Sequence, residues 1–244
     1  MSSAPVSAAT ETELVGKLLQ IVDRINAKTA ELQNEINDKL RWLPDFLQDK
    51  VVGGWNDFCD LMRRVWDFWT EVCGNMGSPS TLWATADAWS DTVGAAVSAQ
   101  VQSADAGLLT VDDNWDGDAA DAYRQTLPLQ KTALDKVKTT LTDGISGALS
   151  DVAKGIIAFW ASLTVALAAL VGGIIGAIAS AATVFGLPAA PFIAAGAALA
   201  ADAAVIGGGM ILKSVCSAAS TTLRQRLDDN AGFHEGHWPP AATY

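Results

Sequence analysis

Residues 155–201, GIIAFWASLTVALAALVGGIIGAIASAATVFGLPAAPFIAAGAALAA, carry no charged side chain over 47 consecutive positions. Gly155 to Phe185 is one apolar run, Gly186-Leu187-Pro188 breaks it, and Pro191 to Leu212 is a second run interrupted only by Asp202. Each reaches the roughly 20 residues that a helix needs to cross the core of a bilayer. The stretch reads as two helices joined by a tight turn. Small residues recur every fourth position: Ala168, Gly172, Gly176 and Ser180 in the first run, then Gly196, Ala200, Ala204 and Gly208 in the second. Ridges of this kind let helix backbones approach closely, which matters most in lipid, where association relies on packing. Three settings fit: a membrane, the core of a helical domain, or a sheltered hairpin that amphipathic helices release at a membrane. Asp202 is the residue to watch. It is either a surface or capping position, or a carboxylate that lines a pore or senses pH, since a charge at mid-bilayer is costly.

Upstream, Leu14, Leu18, Ile21, Ile25, Leu32, Ile36 and Leu40 recur every three or four positions between charged residues, which predicts an amphipathic helix from Glu11 to Trp42. Leu43-Pro44-Asp45 ends it. A second helix is expected from Asp45 to Val72, with Gly53-Gly54 as a candidate kink. It carries an aromatic stripe: Phe46, Trp55, Phe58, Trp66, Phe68 and Trp69. That stripe reads as core or helix–helix contact. Trp55, Trp66 and Trp69 are candidates for an oligomer interface as well, because six large aromatics exceed what one two-helix contact needs. The run Cys73 to Ser80 is a breaker.

A third helix is expected from about Ser80 to Leu109, with a seam at Leu82, Ala86, Trp89, Val93, Ala96, Gln100 and Ser103. Turn formers follow from Val111 to Gly117. A fourth helix repeats the pattern at Ala120, Tyr123, Leu127, Gln130, Leu134, Val137 and Leu141, with Pro128 expected to bend it. Two such helices form an antiparallel hairpin. Residues 213–229 read as a further amphipathic helix and residues 230–244 as a flexible end. The expected fold is all-α, an elongated helical bundle. Its segments are residues 1–78, an amphipathic hairpin; 79–153, a second hairpin; 154–213, the apolar hairpin; and 214–244, a helix and tail.

Trp115-Asp116-Gly117 sits at the bend of the second hairpin, and Tyr123 lies on the helix that follows. Gly117 suits a tight turn, Trp115 can pack across helix ends, and Asp113, Asn114 or Asp116 can cap the new helix. This arrangement resembles the Trp-x-Gly helical-hairpin proteins of type VII (ESX) secretion, over roughly residues 80–152. The extra helices and the Ala/Gly-rich region resemble the longer actinobacterial ESX-associated substrates. The resemblance implies a secreted or cell-envelope protein and export with a partner of the Trp-x-Gly kind or a secretion chaperone; a homo-oligomer is expected because one bundle of this size does not easily hide so much apolar surface. One departure stands. The family's Tyr-x-x-x-Asp or Tyr-x-x-x-Glu export signal is absent, since Leu127 occupies the fourth position after Tyr123 and Tyr244 ends the sequence.

Composition narrows the chemistry. A net charge of −11 argues against nucleic acid and against electrostatic attraction to anionic lipid, so membrane contact must come from apolar surface. Residues 1–10 lack the pattern of a Sec signal peptide. Cys59, Cys73 and Cys216 match no metal spacing and read as buried thiols, or as one bridge formed after export. His234-Glu235-Gly236-His237 fits no usual zinc motif. The eight carboxylates between Asp87 and Asp121 read as a solvated face. Gly207-Gly208-Gly209 lacks the preceding strand of a nucleotide site. No cofactor or enzymatic activity is expected. The expected function is membrane interaction or permeabilisation by an oligomer, through the hairpin; the alternatives are a soluble assembly component of the ESX pathway and a two-span membrane protein.

Overall fold

The structure is a computed structural model and describes residues 8–75, 77–104 and 115–240. It is an all-α helical bundle. Among the described residues five long helices follow one another, numbered here α1 to α5. They are α1 (Ala8–Leu40), α2 (Asp45–Asn75), α3 (Pro79–Ala88, a π-helical segment Trp89–Gly94, then Ala95–Ser103), α4 (Asp118–Ala181) and α5 (Leu187–Asp228). The chain divides into two compact units, each built from two separate stretches.

The first unit holds residues 1–79 and 155–214. In it the apolar hairpin, formed by the later part of α4 and the earlier part of α5, packs with the amphipathic pair α1 and α2. Near the end of α1, the Lys39 ammonium donates to the carbonyl of Ala181, the last residue of α4, at 3.0 Å. A cation there suits the negative end of the α4 dipole. Early in α2, Gly54 lies against Pro191 and Phe192 at the start of α5, and Phe68 further along meets Gly209. The four helices therefore alternate in direction, and the α1–α2 and α4–α5 turns lie at one end. Leu43 and Leu187 plug that end.

The core of this unit follows the helical period. Leu18, Ile25, Leu32 and Ile36 of α1 are buried, as are Val51, Phe58, Met62 and Val65 of α2. They face Phe159, Leu163, Leu167, Leu170, Ile174 and Ala177 of α4. The α5 contribution is narrower: Ala190, Ala194, Ala198, Ala201 and Val205. An Ala column permits close approach and gives little apolar area per residue, so packing here depends on backbone proximity. Both helix ends differ from expectation. Helix α2 continues through Cys73 to Asn75, and α4 stops at Ala181 rather than Phe185. Ser180 donates its hydroxyl to the Gly186 carbonyl at 2.9 Å, folding the chain back four residues early. A Cβ at Gly186 would lie 2.3 Å from the Ser180 carbonyl oxygen, so only glycine closes this turn.

The second unit holds residues 80–154 and 215–244. Its inner positions in α3 are Trp83, Ala86, Trp89, Gly94, Val97 and Val101. The expected seam holds as far as Trp89 and then slips by one residue; Val93, Ala96, Gln100 and Ser103 face solvent. The π-helical segment Trp89–Gly94 explains this, because an i→i+5 turn inserts one residue and rotates everything after it. A second π-helical segment, Val137–Thr142, lies alongside the first, and Gly94 packs near the Thr142 hydroxyl. Pro128 is accommodated within a continuous helix. Residues 230–237 are not a free tail. Lys136 pairs with Asp229 and lies along Gly232, whose φ is +99°, and His234 and His237 are joined by a β-bridge. The hydrogen bond from Lys136 holds the Asp229 carboxyl below the usual carboxylate range.

Candidate membrane-facing surface

Helices α4 and α5 are both long and apolar enough to cross a membrane, and 39% of the most apolar window of each is buried inside the protein. The rest is open. On α4 the outward face runs through Ala158, Ala161, Val165, Ala168, Gly172 and Gly176. On α5 it runs through Phe192, Ile193, Gly196, Leu199, Ile206 and Met210. Val165 and Met210 expose well over half of their surfaces, which in water is unfavourable by about 25 cal/mol per Å² of apolar area.

The polar atoms of the charge-free stretch are satisfied locally. Its four hydroxyl side chains are Ser162, Thr164, Ser180 and Thr183. Ser162 donates to the Phe159 carbonyl and Thr164 to the Trp160 carbonyl, both at 2.8 Å. Ser180 donates to Gly186, and Thr183 accepts from the Gly186 amide at 3.0 Å. None of the four depends on water, which is the condition for a polar group in hydrocarbon. Asp202 is the charged residue at the edge of this surface. It is only 8% exposed, beside Ala198, Ala201 and Val205, and among the described residues it has no hydrogen-bonding or ion-pairing partner.

The small residues singled out in the sequence divide by face. Gly172 and Gly196 have nothing within 4 Å of a built Cβ, and Gly176 touches only Ile193, at 4.0 Å. Ala168, Ala200 and Ala204 also face outward, and Ser180 is half-buried in the turn. The two arms of the hairpin approach closely at Gly173, whose Cβ would lie 2.2 Å from that of Ala197. Sequence reasoning missed Gly173, because two adjacent columns of small residues gave no sign of which one faces the partner. Gly208 seats Phe159 and Gly209 seats Phe68, so two of the three consecutive glycines serve aromatic packing.

The three tryptophans proposed for an oligomer interface are half-buried. Trp55 lies 5.4 Å from Phe58, ring to ring. Trp66 borders a cleft of about 260 Å³ between α1 and α2, lined also by Asn26, Thr29, Cys59 and Arg63. Trp69 turns toward Phe159, Leu163 and Leu167. Burial pushes the Cys59 thiol above its ordinary value, aided by the Asp60 carboxylate, whereas Cys216 is exposed. Thiolate is the reacting form. Iodoacetamide at pH 8 is therefore expected to modify Cys59 more slowly than Cys216, by roughly threefold or more. Peptide mapping over time measures this, and equal rates would mean that α1 and α2 open readily there. The side chain of Cys73 lies outside the described residues.

At the other candidate motif, Gly117 has φ +104° and its carbonyl accepts from the amides of Ala120 and Asp121, starting α4. The Trp115 ring lies 5.9 Å from that of Tyr123, and Arg124 donates to the Trp115 carbonyl at 3.2 Å. Gly117 makes no side-chain cap, and among the described residues Asp116 has no hydrogen-bonding partner; Asp113 and Asn114 lie outside the described residues. The segment Ala95–Ser103 packs along the start of α4. Compared with protein-family models, curated proteins and solved structures, the chain matches none.

Proposed function

We propose that this chain is a non-enzymatic, membrane-active helical protein that oligomerises and acts on a bilayer through residues 155–212. The observation that carries this reading is the outward face of the hairpin, a run of apolar side chains on both helices with no charge among them. A helix face that stays in water ordinarily carries charged residues, as the outer face of α1 does. The fold also supplies a shelter, since α1 and α2 cover the opposite face of the same helices. Oligomerisation would cover the large apolar side chains left open, Val165, Leu199, Ile206 and Met210 among them.

Export by a type VII route is part of the same proposal. Its support is the Trp115–Tyr123 contact and the left-handed Gly117 at the start of α4. Because Leu127 stands at the fourth position after Tyr123, export would be directed by a partner of the Trp-x-Gly kind or a secretion chaperone, and the protein would act outside the cell or in the envelope. The half-burial of α4 and α5 favours a second reading, a water-soluble assembly component whose outward face meets other copies. Two permanent spans are a third reading.

Dye release from phosphatidylcholine vesicles by detergent-free protein separates these readings. The membrane reading expects release by the wild type and a loss of tenfold or more in the Gly172→Leu, Gly176→Leu double variant. A Cβ at Gly172 meets open space and one at Gly176 makes only ordinary contact with Ile193, so the fold is expected to stay intact, which circular dichroism checks. A particle of defined size that releases nothing would support the assembly reading. A protein that leaves the cell membrane only in detergent would support permanent spans.

A further inference from the structure

The turn end of the first unit carries four exposed aromatic side chains from two separate turns. Phe185, in the α4–α5 turn, is 99% exposed, and Phe192 follows on the first turns of α5 at 51%. Trp42, in the α1–α2 turn, is 66% exposed and Phe46 is 64% exposed. Val184 adds to the patch. The two turns are held together by the Lys39–Ala181 hydrogen bond and by Phe192 lying on Gly54. A fully exposed Phe at a hairpin tip contributes nothing to folding. With its neighbours it forms an apolar patch open to a partner surface.

We propose that this end docks on the surface of a zwitterionic phospholipid bilayer as an intact bundle, with Trp42, Phe46, Phe185 and Phe192 seated at the headgroup level. This rests on the membrane reading above and specifies where contact begins. Three observations favour lipid over a protein partner. The patch is continuous with the charge-free outward faces of α4 and α5, which hydrocarbon accepts and an ordinary interface rim does not. The Arg41 guanidinium lies over the Trp42 ring, 5.1 Å from its centre, which pairs a phosphate-binding cation with an aromatic suited to the interface. The charged residues beside the tip, Asp38, Lys39, Arg41 and Asp45, sum to zero.

That balance selects the lipid. With no local positive excess and a chain charge of −11, anionic headgroups give no attraction. The same four charges limit depth. They lie within about one helical turn of Trp42, roughly 5 Å along the axis, so the folded bundle rests at the interface and does not cross it.

Flotation of the full chain with phosphatidylcholine vesicles tests this. The wild type is expected to float, equally at low and high salt, and the Trp42→Ser, Phe185→Ser double variant to partition at least tenfold less. Circular dichroism melting should leave that variant unchanged, because both side chains are mostly in water. The Gly172→Leu, Gly176→Leu variant separates the two ideas: it should still float while losing dye release. Flotation by the wild type without any dye release would sink hairpin insertion and keep the docking proposal. Docking is overturned if the Ser variant floats like the wild type, if the wild type fails to float, or if it floats only on anionic vesicles.

Discussion

Gly173→Leu is expected to destabilise the first unit by about 3 kcal/mol or more, while Gly172→Leu leaves it as stable as the wild type or slightly more so. The contrast rests on one residue of helical rotation. At Gly173 a Cβ would fall 2.2 Å from the Ala197 Cβ and 3.6 Å from its Cα, so the two arms of the hairpin must separate before any side chain fits. Separation breaks contact along the whole Ala column, from Ala190 to Ala201, because that column has no long side chains to bridge a wider gap. At Gly172 nothing lies within 4 Å, and replacing glycine within a helix contributes about 0.8 kcal/mol through helix propensity. Urea unfolding of the two variants measures the difference. Equal stabilities would mean that the α4–α5 contact is looser than the structure describes.

The same pair of residues marks how far the sequence could be read. Helical type was legible, because periodic Leu and Ile in α1 and the long uncharged run in α4 and α5 each allow one regular structure; continuity was not, since the expected fourth helix runs on into the first apolar run as α4 and the expected helix over residues 213–229 is the end of α5. The face each helix turns inward was legible only where polar residues marked the other side. In α1 charged residues define the outer face, and the buried set Leu18, Ile25, Leu32 and Ile36 follows the expected stripe. In α4 and α5 both faces are apolar, so the small-residue column at Gly172 and Gly176 carried the same weight as the one at Gly173. The slip after Trp89 had no signal either, since a π-helical turn needs one inserted residue of no particular kind. Phe185 read as the end of an apolar run. Its position at a tip beside Trp42 depends on two turns meeting, which only tertiary structure brings about.

Leu167→Ala is expected to lower the stability of the first unit by about 2–5 kcal/mol and to raise the rate of dye release at the same time. Leu167 is fully buried where three helices meet, against Val65, Phe68 and Trp69 of α2, Phe159 and Leu163 of α4, and Val205 of α5. Truncation leaves a cavity between the hairpin and α2, the helix that shelters it. If the hairpin must leave that shelter to enter lipid, the opening step becomes easier by part of the lost stability, and each 1.4 kcal/mol so shared gives about a tenfold faster rate. The substitution leaves the outward face and the aromatic tip untouched, so flotation on vesicles should not change. Stability measured by urea and release measured on the same preparation then move in opposite directions. A destabilised variant with an unaltered release rate would mean that the outward faces act alone, with α1 and α2 still in place.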